Sequence, residues 1–153
     1  MIGSVPSPGS GLIRASWVGT FALIVAAIGA VISPGTAVAV PLIVVALALF
    51  VSGSVAMAWS YAIAIRRSRT DEIAVAGLYF LAGGAADRDV RRALMGALVV
   101  QAVVGFAAAA ARPFTAAAFG ILAPVWGLGL TGLWAARHGS YPPRQVAAPR
   151  RRT

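Results

Sequence analysis

The sequence contains no cysteine and no lysine, and its only histidine is His138. The absence of cysteine excludes disulfides, thiolate metal sites and cysteine nucleophiles, and a single histidine disfavours imidazole-built metal sites. Charge is also scarce, because 11% of the 153 residues are charged, against about 25% in an ordinary soluble domain. Hydrophobic residues make up 59% of the chain. This composition is typical of an integral membrane protein, and it predicts neither a metal nor any other cofactor.

Long stretches without charge divide the chain into candidate membrane spans. A helix needs about 20 apolar residues to cross a hydrocarbon core of about 30 Å. No charged residue occurs from Ala15 to Ile65, and the turn-forming segment Ser33–Thr36 interrupts this stretch. A second apolar stretch, Ala93–Ala136, is broken at Arg112–Phe114. We therefore predict two helical hairpins, with spans at about residues 16–32, 38–65, 90–111 and 115–136.

The predicted fold class is all-α, a four-helix transmembrane bundle with a short interfacial cytoplasmic helix. Residues 71–86 join the hairpins and contain an apolar run too short to span, which predicts a short helix lying at the membrane surface, with a re-entrant segment as the alternative. Residues 1–14 are rich in glycine, serine and proline, and residues 138–153 are rich in proline and arginine. We expect both ends to be disordered cytoplasmic segments flanking a membrane domain at residues 15–137.

The positions of the arginines predict the orientation of the bundle. Arginine concentrates in the cytoplasmic loops of membrane proteins, where Trp and Tyr also gather at the interface. In the four-span topology all arginines except Arg112 share one side, with the aromatic residues Trp17, Trp59, Tyr61 and Trp134 near it. We therefore expect a multi-pass protein of the plasma (inner) membrane with both termini in the cytoplasm. The alternative is that the first helix is a secretory signal removed by cleavage after Ala39, and the intact mass of the mature protein would test it.

Arginine at the end of the chain predicts a contact with lipid. Arg150, Arg151 and Arg152 would each gain about 1 kcal/mol beside an anionic leaflet. We favour anionic lipid headgroups over nucleic acid as the partner, because the short tail is tethered next to the bilayer. Arg112, on the opposite side, is a candidate for binding a lipid phosphate or a carboxylate of a partner, and the alternative is that it fixes the end of a span.

Polar residues inside the predicted spans are few. The helix cores contain no Asp, Glu, Arg, Lys or His, which disfavours proton-coupled transporters and ion pumps. Gln101 is the strongest polar group there, and it shares a helix face with Ala97 and Gly105. Small residues let helices approach closely, and an amide can form a hydrogen bond across their contact. We interpret these residues as helix-packing or partner contacts, with a pore-lining Gln101 as the alternative.

Three glycines of the fourth span, Gly127, Gly129 and Gly132, match the pattern G-x-G-x-x-G. Binding of a dinucleotide by this motif requires a preceding strand and a helix N-terminus in water, and neither is predicted here. We therefore interpret the glycines as further helix-packing or partner contacts.

The four acidic residues all lie between the hairpins, as Asp71, Glu72, Asp87 and Asp89. Paired carboxylates can serve acid–base catalysis or bind a metal. Their positions just before predicted helices favour capping of the helix N-termini instead.

The segment RPFTAAAFGILAPVWGLGLTGLWAARHG, residues 112–139, resembles small four-span integral membrane proteins of high-GC actinobacteria, which have no assigned activity. The resemblance extends from Arg91 to Tyr141 and implies a bacterial plasma membrane protein. The order hairpin, basic loop, hairpin, with the Arg112-Pro113 turn, is also similar to the ATP synthase protein I family. That similarity implies a factor that assists assembly of the proton-driven synthase.

These observations favour a protein without catalytic activity that serves as a small accessory or scaffold subunit, packed against itself or another membrane protein. The alternatives are a homo-oligomeric channel or transporter, with Gln101 and Thr131 lining its path, and an assembly factor similar to ATP synthase protein I. An enzyme is the least supported class, because no nucleophile–base pair or metal set can be placed in a pocket. An accessory subunit would tolerate Gln101→Leu, whereas a channel would change its flux.

Overall fold

The computed structural model describes residues 8–32 and 35–144, and helices dominate this part of the chain. Its α-helices are α1 (Ser10–Ile32), α2 (Thr36–Arg67), α3 (Val75–Phe80), α4 (Arg88–Ala111) and α5 (Pro124–His138), and a 3₁₀ helix, Ala116–Leu122, precedes α5. Four helical segments are long and apolar enough to cross a membrane when the 3₁₀ helix and α5 are taken together. The predicted all-α four-helix bundle is confirmed, and its apolar helices are those of a multi-pass membrane protein.

The two hairpins pack side by side, so that α1 runs parallel to α4 and α2 runs parallel to α5. In the first pair Thr20 of α1 lies beside Gln101 of α4, and the C-terminal turns of both helices line one groove. In the second pair Gly53 lies against Gly129, and Arg67 reaches the last turn of α5. The start of α1, the end of α2, the start of α4 and the end of α5 therefore meet at one end of the bundle, which we call the basic end.

The interior contains two apolar clusters with a polar layer between them. The cluster at the far end includes Leu23, Leu42 and Ala108, and the cluster at the basic end includes Leu78, Leu94 and Trp134. Between them lie the fully buried polar side chains of Ser16, Thr20, Ser60, Gln101 and Thr131. This layer positions the candidate site described below.

The outer surface of the bundle is more apolar than a soluble protein would tolerate. Large side chains such as Val18, Phe21, Val103 and Phe106 are all more than half exposed. Contiguous exposed apolar surface of this kind is rare on soluble monomers. Hydrocarbon solvates such side chains, which agrees with helices that cross a bilayer.

The helix α1 begins at Ser10, although the composition of residues 1–14 predicted disorder. Leu12 and Ile13 pack against the apolar cluster at the basic end, and the indole Nε1 of Trp134 donates to the carbonyl of Pro8 over 3.0 Å. These contacts offset the conformational entropy lost when the segment is ordered.

The fourth predicted span consists of two helical pieces rather than one helix. The 3₁₀ helix ends at Leu122, and Pro124 starts α5. Proline has no N–H and its ring clashes with the carbonyl four residues earlier, so a helix tends to start at proline rather than run through it.

The chain between the hairpins is helical only in part. The short helix α3 is confirmed within residues 71–86, but Leu81 ends it in a left-handed conformation with φ 51°. Two exposed glycines with positive φ, Gly83 and Gly84, then turn the chain toward α4.

Residues 1–7 and 145–153, which include Arg150, Arg151 and Arg152, lie outside the described residues.

Candidate functional site

Gln101 forms the centre of the polar layer and connects three helices. Its side chain is fully buried. The amide Nε2 donates to Thr20 Oγ1 of α1 over 2.7 Å, and the amide Oε1 accepts from the backbone N–H of Gly127 in α5 over 3.0 Å. The Thr20 hydroxyl in turn donates to the carbonyl of Ser16 over 2.8 Å. One side chain of α4 therefore holds α1 and α5 in register.

The bond to Gly127 falls in the first turn of α5, where a helix leaves its backbone N–H groups without intrahelical partners. Pro124 has no N–H to satisfy, and the N–H of Trp126 donates to the carbonyl of Ala123 over 3.0 Å. The Gln101 carbonyl supplies the acceptor that the interrupted span lacks at Gly127. An unpaired N–H at this depth would be costly because no water is present to bind it.

The remaining packing positions predicted from the sequence are also buried, namely Ala97, Gly105, Gly127, Gly129 and Gly132. A Cβ atom at Gly129 would overlap the carbonyl oxygen of Gly53 in α2. A Cβ at Gly105 would likewise overlap the backbone of Gly120. These glycines therefore allow helix backbones of the same chain to touch, as small residues do at helix interfaces in membranes.

Sequence reasoning did not identify the partners of Gln101 on α1. Ser16 and Thr20 are four residues apart and therefore share one face of α1. Trp126 strengthens the same contact, because its indole Nε1 donates to the carbonyl of Ala15 over 3.3 Å. The spacing of Ser16 and Thr20 was the available signal, since two hydroxyl residues on one face of an apolar helix indicate a polar neighbour.

Residues 139–144, expected to be disordered, form a segment that we call the C-terminal strap. The backbone N–H of Glu72 donates to the carbonyl of Pro142 over 2.9 Å, and the backbone N–H of Arg144 donates to the carbonyl of Thr70 over 2.8 Å. These bonds hold the strap across the loop that follows α2. They depend on backbone groups, which explains why the composition of the tail did not predict them.

Arg67 joins the strap to α5. Its Nη1 donates to the carbonyl of Ala136 over 2.9 Å, and its Nη2 donates to the carbonyl of Gly139 over 3.1 Å. The last carbonyls of a helix lack partners and carry the negative end of its dipole. Asp71 pairs with Arg67 at 3.0 Å. The predicted role of Asp71 as a helix cap was wrong, because α3 begins only at Val75.

Tyr141 covers Arg67 from the strap side. The guanidinium carbon of Arg67 lies 5.4 Å from the centre of the Tyr141 ring, which is within the range of a cation–π contact. The Tyr141 hydroxyl is buried and has no hydrogen-bond partner among the described residues. Burial raises the pKa of the Tyr141 phenol above 10.0, while the charge of Arg67 acts in the opposite direction.

Arg112 lies at the far end of the bundle, as the sequence predicted from its place in the chain. Its backbone N–H donates to the carbonyl of Ala108 where α4 ends, and its own carbonyl accepts from Thr115 Oγ1 over 2.7 Å. Its backbone thus forms the turn between α4 and the 3₁₀ helix.

Trp134 differs from the predicted interfacial belt of aromatic residues, because it is only 4% exposed.

Two apolar grooves flank α1 on the outside of the bundle. The groove between α1 and α4 has a volume of about 350 Å³ and is lined in part by Ala27, Ala107 and Ala111. The groove between α1 and α2 has a volume of about 450 Å³, and Ala22 and Gly29 belong to its lining. Small side chains thus lie in both grooves, as they do where transmembrane helices pack together.

The interior of the bundle and its basic end differ in the charge of their polar groups. The polar layer consists of neutral amide and hydroxyl groups, and those of Thr20, Gln101 and Thr131 bind one another or the backbone. The charged groups that approach the bundle interior, Arg67 and Asp71, neutralise each other at its end. Chemically, this arrangement can hold helices together, and the grooves can accept apolar ligands or helices.

Comparison of the chain with protein-family models, with curated proteins and with solved structures finds no match in any of the three. The resemblance to four-span actinobacterial proteins therefore stays an expectation from the sequence.

Proposed function

We propose that this four-span protein is an accessory or scaffold subunit of a membrane complex and that it catalyses no reaction. The observation that carries the proposal is the division between its interior and its surface. The amide of Gln101 is bonded at both ends inside the chain. By contrast, the grooves beside α1 leave small apolar side chains facing outward. A surface of this kind suits packing against a transmembrane helix of another subunit.

The close contact between α2 and α5 supports this proposal over a channel within one copy. The backbones at Gly53 and Gly129 touch, so a solute has no room to pass between these helices at that level. A path beside Gln101 would require its bonds to Thr20 and Gly127 to break. A channel between several copies is the competing function, and the experiments below distinguish it from an accessory role.

We further propose that the protein lies in the plasma (inner) membrane with its basic end toward the cytoplasm. The support is the charge distribution, because arginines at the ends of α2 and α5 and at the start of α4 meet at this end. Anionic lipid headgroups would then contact the exposed arginines Arg66, Arg69 and Arg137.

Site-specific photo-crosslinking in living cells tests the accessory role. A photoreactive residue replaces Ala107 in one groove or Ala22 in the other, and the matched control replaces Val51, an exposed residue of α2 outside both grooves. We expect a groove position to give a crosslinked product of discrete mass with one other membrane protein. We expect no such product from Val51. Products of equal yield at all three positions, or with lipid alone, would contradict the proposal.

A flux measurement tests the competing function. The purified chain is reconstituted in liposomes, and the release of trapped ions and small dyes is followed. We expect no flux above that of protein-free liposomes. Flux that scales with the amount of protein, together with crosslinks only between copies of this chain, would replace the accessory role with a channel.

A further inference from the structure

A cleft at the basic end combines a charged part with an apolar part. The charged part has a volume of about 420 Å³ and is lined by the loop after α2 and by the strap, with Asp71, Glu72 and Arg144 among the lining residues. The apolar part has a volume of about 250 Å³ and lies between the end of α2 and α3, with Tyr61, Ile65 and Val75 in its lining. Ser68 and Ile73 line both parts, so the two are continuous.

The charged part presents one negative and one positive group. Asp71 is paired with Arg67, which leaves Glu72 and Arg144 as the charges of this lining. Glu72 is exposed and forms no salt bridge within the described part of the chain. Arg144 is exposed as well, and its Nη1 donates to the carbonyl of Ser68 over 2.8 Å, which leaves its Nη2 to bind an anion.

Two neighbouring backbone segments, which hydrogen bond to each other, carry these two charges. Glu72 is bonded to the strap through Pro142, and Arg144 is bonded to the loop through Thr70. Because both backbone segments are tethered, the protein loses little backbone entropy when a ligand binds both side chains. The cleft is therefore complementary to a ligand that carries a phosphate and an ammonium group together.

The apolar part indicates that this ligand also carries a hydrocarbon chain. Tyr61, Ile65 and Val75 are all more than half exposed. Along α2 the lining runs from Ser68 at the basic end back to Tyr61 toward the middle of the bundle. This is the direction that an acyl chain follows from its headgroup.

We infer that this cleft binds one phospholipid with a phosphate and a primary ammonium in its headgroup, of the phosphatidylethanolamine class. Arg144 binds the phosphate, as arginine does in charge-assisted bonds. Glu72 accepts hydrogen bonds from the ammonium, and one acyl chain lies along Ile65 and Val75. The inference requires that the helices cross a bilayer, and it is independent of the proposed accessory role.

The opposite charges of Glu72 and Arg144 favour phosphatidylethanolamine over an anionic lipid. A phosphatidylglycerol headgroup would satisfy Arg144 but would leave the Glu72 carboxylate beside a phosphate. Phosphatidylcholine has no N–H to donate to Glu72. The two comparison lipids therefore test the two parts of the inference separately.

Native mass spectrometry of the purified full chain tests the site. The protein in detergent is equilibrated with equal amounts of dioleoyl phosphatidylethanolamine, phosphatidylglycerol and phosphatidylcholine, and the bound lipid is identified by mass. We expect a single retained phosphatidylethanolamine. Loss of a charged hydrogen bond predicts that Glu72→Gln and Arg144→Gln each lower its retention by about tenfold.

Matched variants separate this site from general lipid adsorption. Asp89→Asn and Arg91→Gln remove the same charges from exposed positions at the start of α4, and we expect unchanged retention. Ile65→Trp obstructs the apolar part and lowers retention, whereas Val55→Trp, on the exposed face of the same helix outside the cleft, does not.

Two results would overturn the inference. One is phosphatidylglycerol retained as strongly as phosphatidylethanolamine by the unmodified protein, which would indicate a site for anionic lipid. The other is equal retention in the cleft variants and their controls, which would indicate lipid bound around the helices only. Thermal unfolding of each variant shows that a loss of lipid is not a loss of fold.

Discussion

The buried polar groups that have partners in this bundle differ in where those partners lie. Thr131 Oγ1 donates to the carbonyl of Gly127 over 2.8 Å within α5, so this hydroxyl is satisfied inside its own helix. Gln101 differs, because its partners belong to α1 and α5. Replacing Gln101 should therefore affect the contact between helices rather than one helix alone.

We predict that Gln101→Leu destabilises the bundle by about 1–3 kcal/mol, the cost of a buried backbone donor left unpaired. The N–H of Gly127 loses its acceptor, while the Thr20 hydroxyl still donates to Ser16. The sequence alone favoured tolerance of this change, because the bond to a helix start was not visible. The free energy of unfolding in mixed detergent micelles measures the effect.

The matched control is Val103→Leu on the same helix, where the side chain is 61% exposed. We expect this variant to unfold with the free energy of the unmodified protein. A Gln101→Leu variant as stable as the control would show that the polar layer does not contribute to stability.

We also predict that the free energy of unfolding falls at alkaline pH because of the Tyr141 phenol at the basic end. Its pKa is raised above 10.0 by burial, so above that pH the unfolded chain loses the phenolic proton before the folded chain does. The free energy of unfolding therefore falls as pH rises from 10.0 through the pKa of the folded state, and at lower pH this contribution does not change.

The variant Tyr141→Phe isolates this contribution. The hydroxyl has no hydrogen-bond partner among the described residues, so its removal should change stability near pH 7 by less than about 1 kcal/mol. Thermal unfolding of both proteins from pH 9 to pH 11 should show a steeper decline for the unmodified chain. Parallel declines would mean that the Tyr141 phenol does not titrate differently on folding.

At the scale of helices, the spans could be predicted from the sequence because their signal is additive. Charge-free length marked the hairpins on either side of residues 66–92, and the Ser33–Thr36 turn marked the first reversal. Any residue of such a stretch can change without loss of the signal. The same property explains why the fold class was accessible without a structure.

The boundaries depended on single contacts and were therefore less accessible. The break before α5 lies inside an apolar stretch, and Pro124 is the local residue that indicates it. The group that accepts a hydrogen bond from the start of α5 is Gln101, which lies far away in the sequence. The early start of α1 depends on the indole of Trp134, and the strap depends on backbone bonds. Interactions between residues distant in sequence leave no periodic pattern for a single chain to reveal.

The whole molecule has two ends of different charge joined by an apolar surface. Apart from Arg112, the described arginines lie at the basic end or near it, while Phe114 marks the far end and is fully exposed. Across a bilayer, an excess of arginine on one side sets the orientation. The molecule therefore carries its topology signal in the positions of its charges, and orientation can be tested apart from function.

We predict that the basic end faces the cytoplasm. Because the chain contains no cysteine, Ser140→Cys at the basic end and Phe114→Cys at the far end each introduce a single, exposed thiol. A membrane-impermeant maleimide added to intact cells should label Phe114→Cys at once and Ser140→Cys only after the membrane is permeabilised. The unmodified chain should not be labelled in either condition. Labelling of Ser140→Cys alone in intact cells would show the opposite orientation, and it would assign the phospholipid cleft to the opposite leaflet.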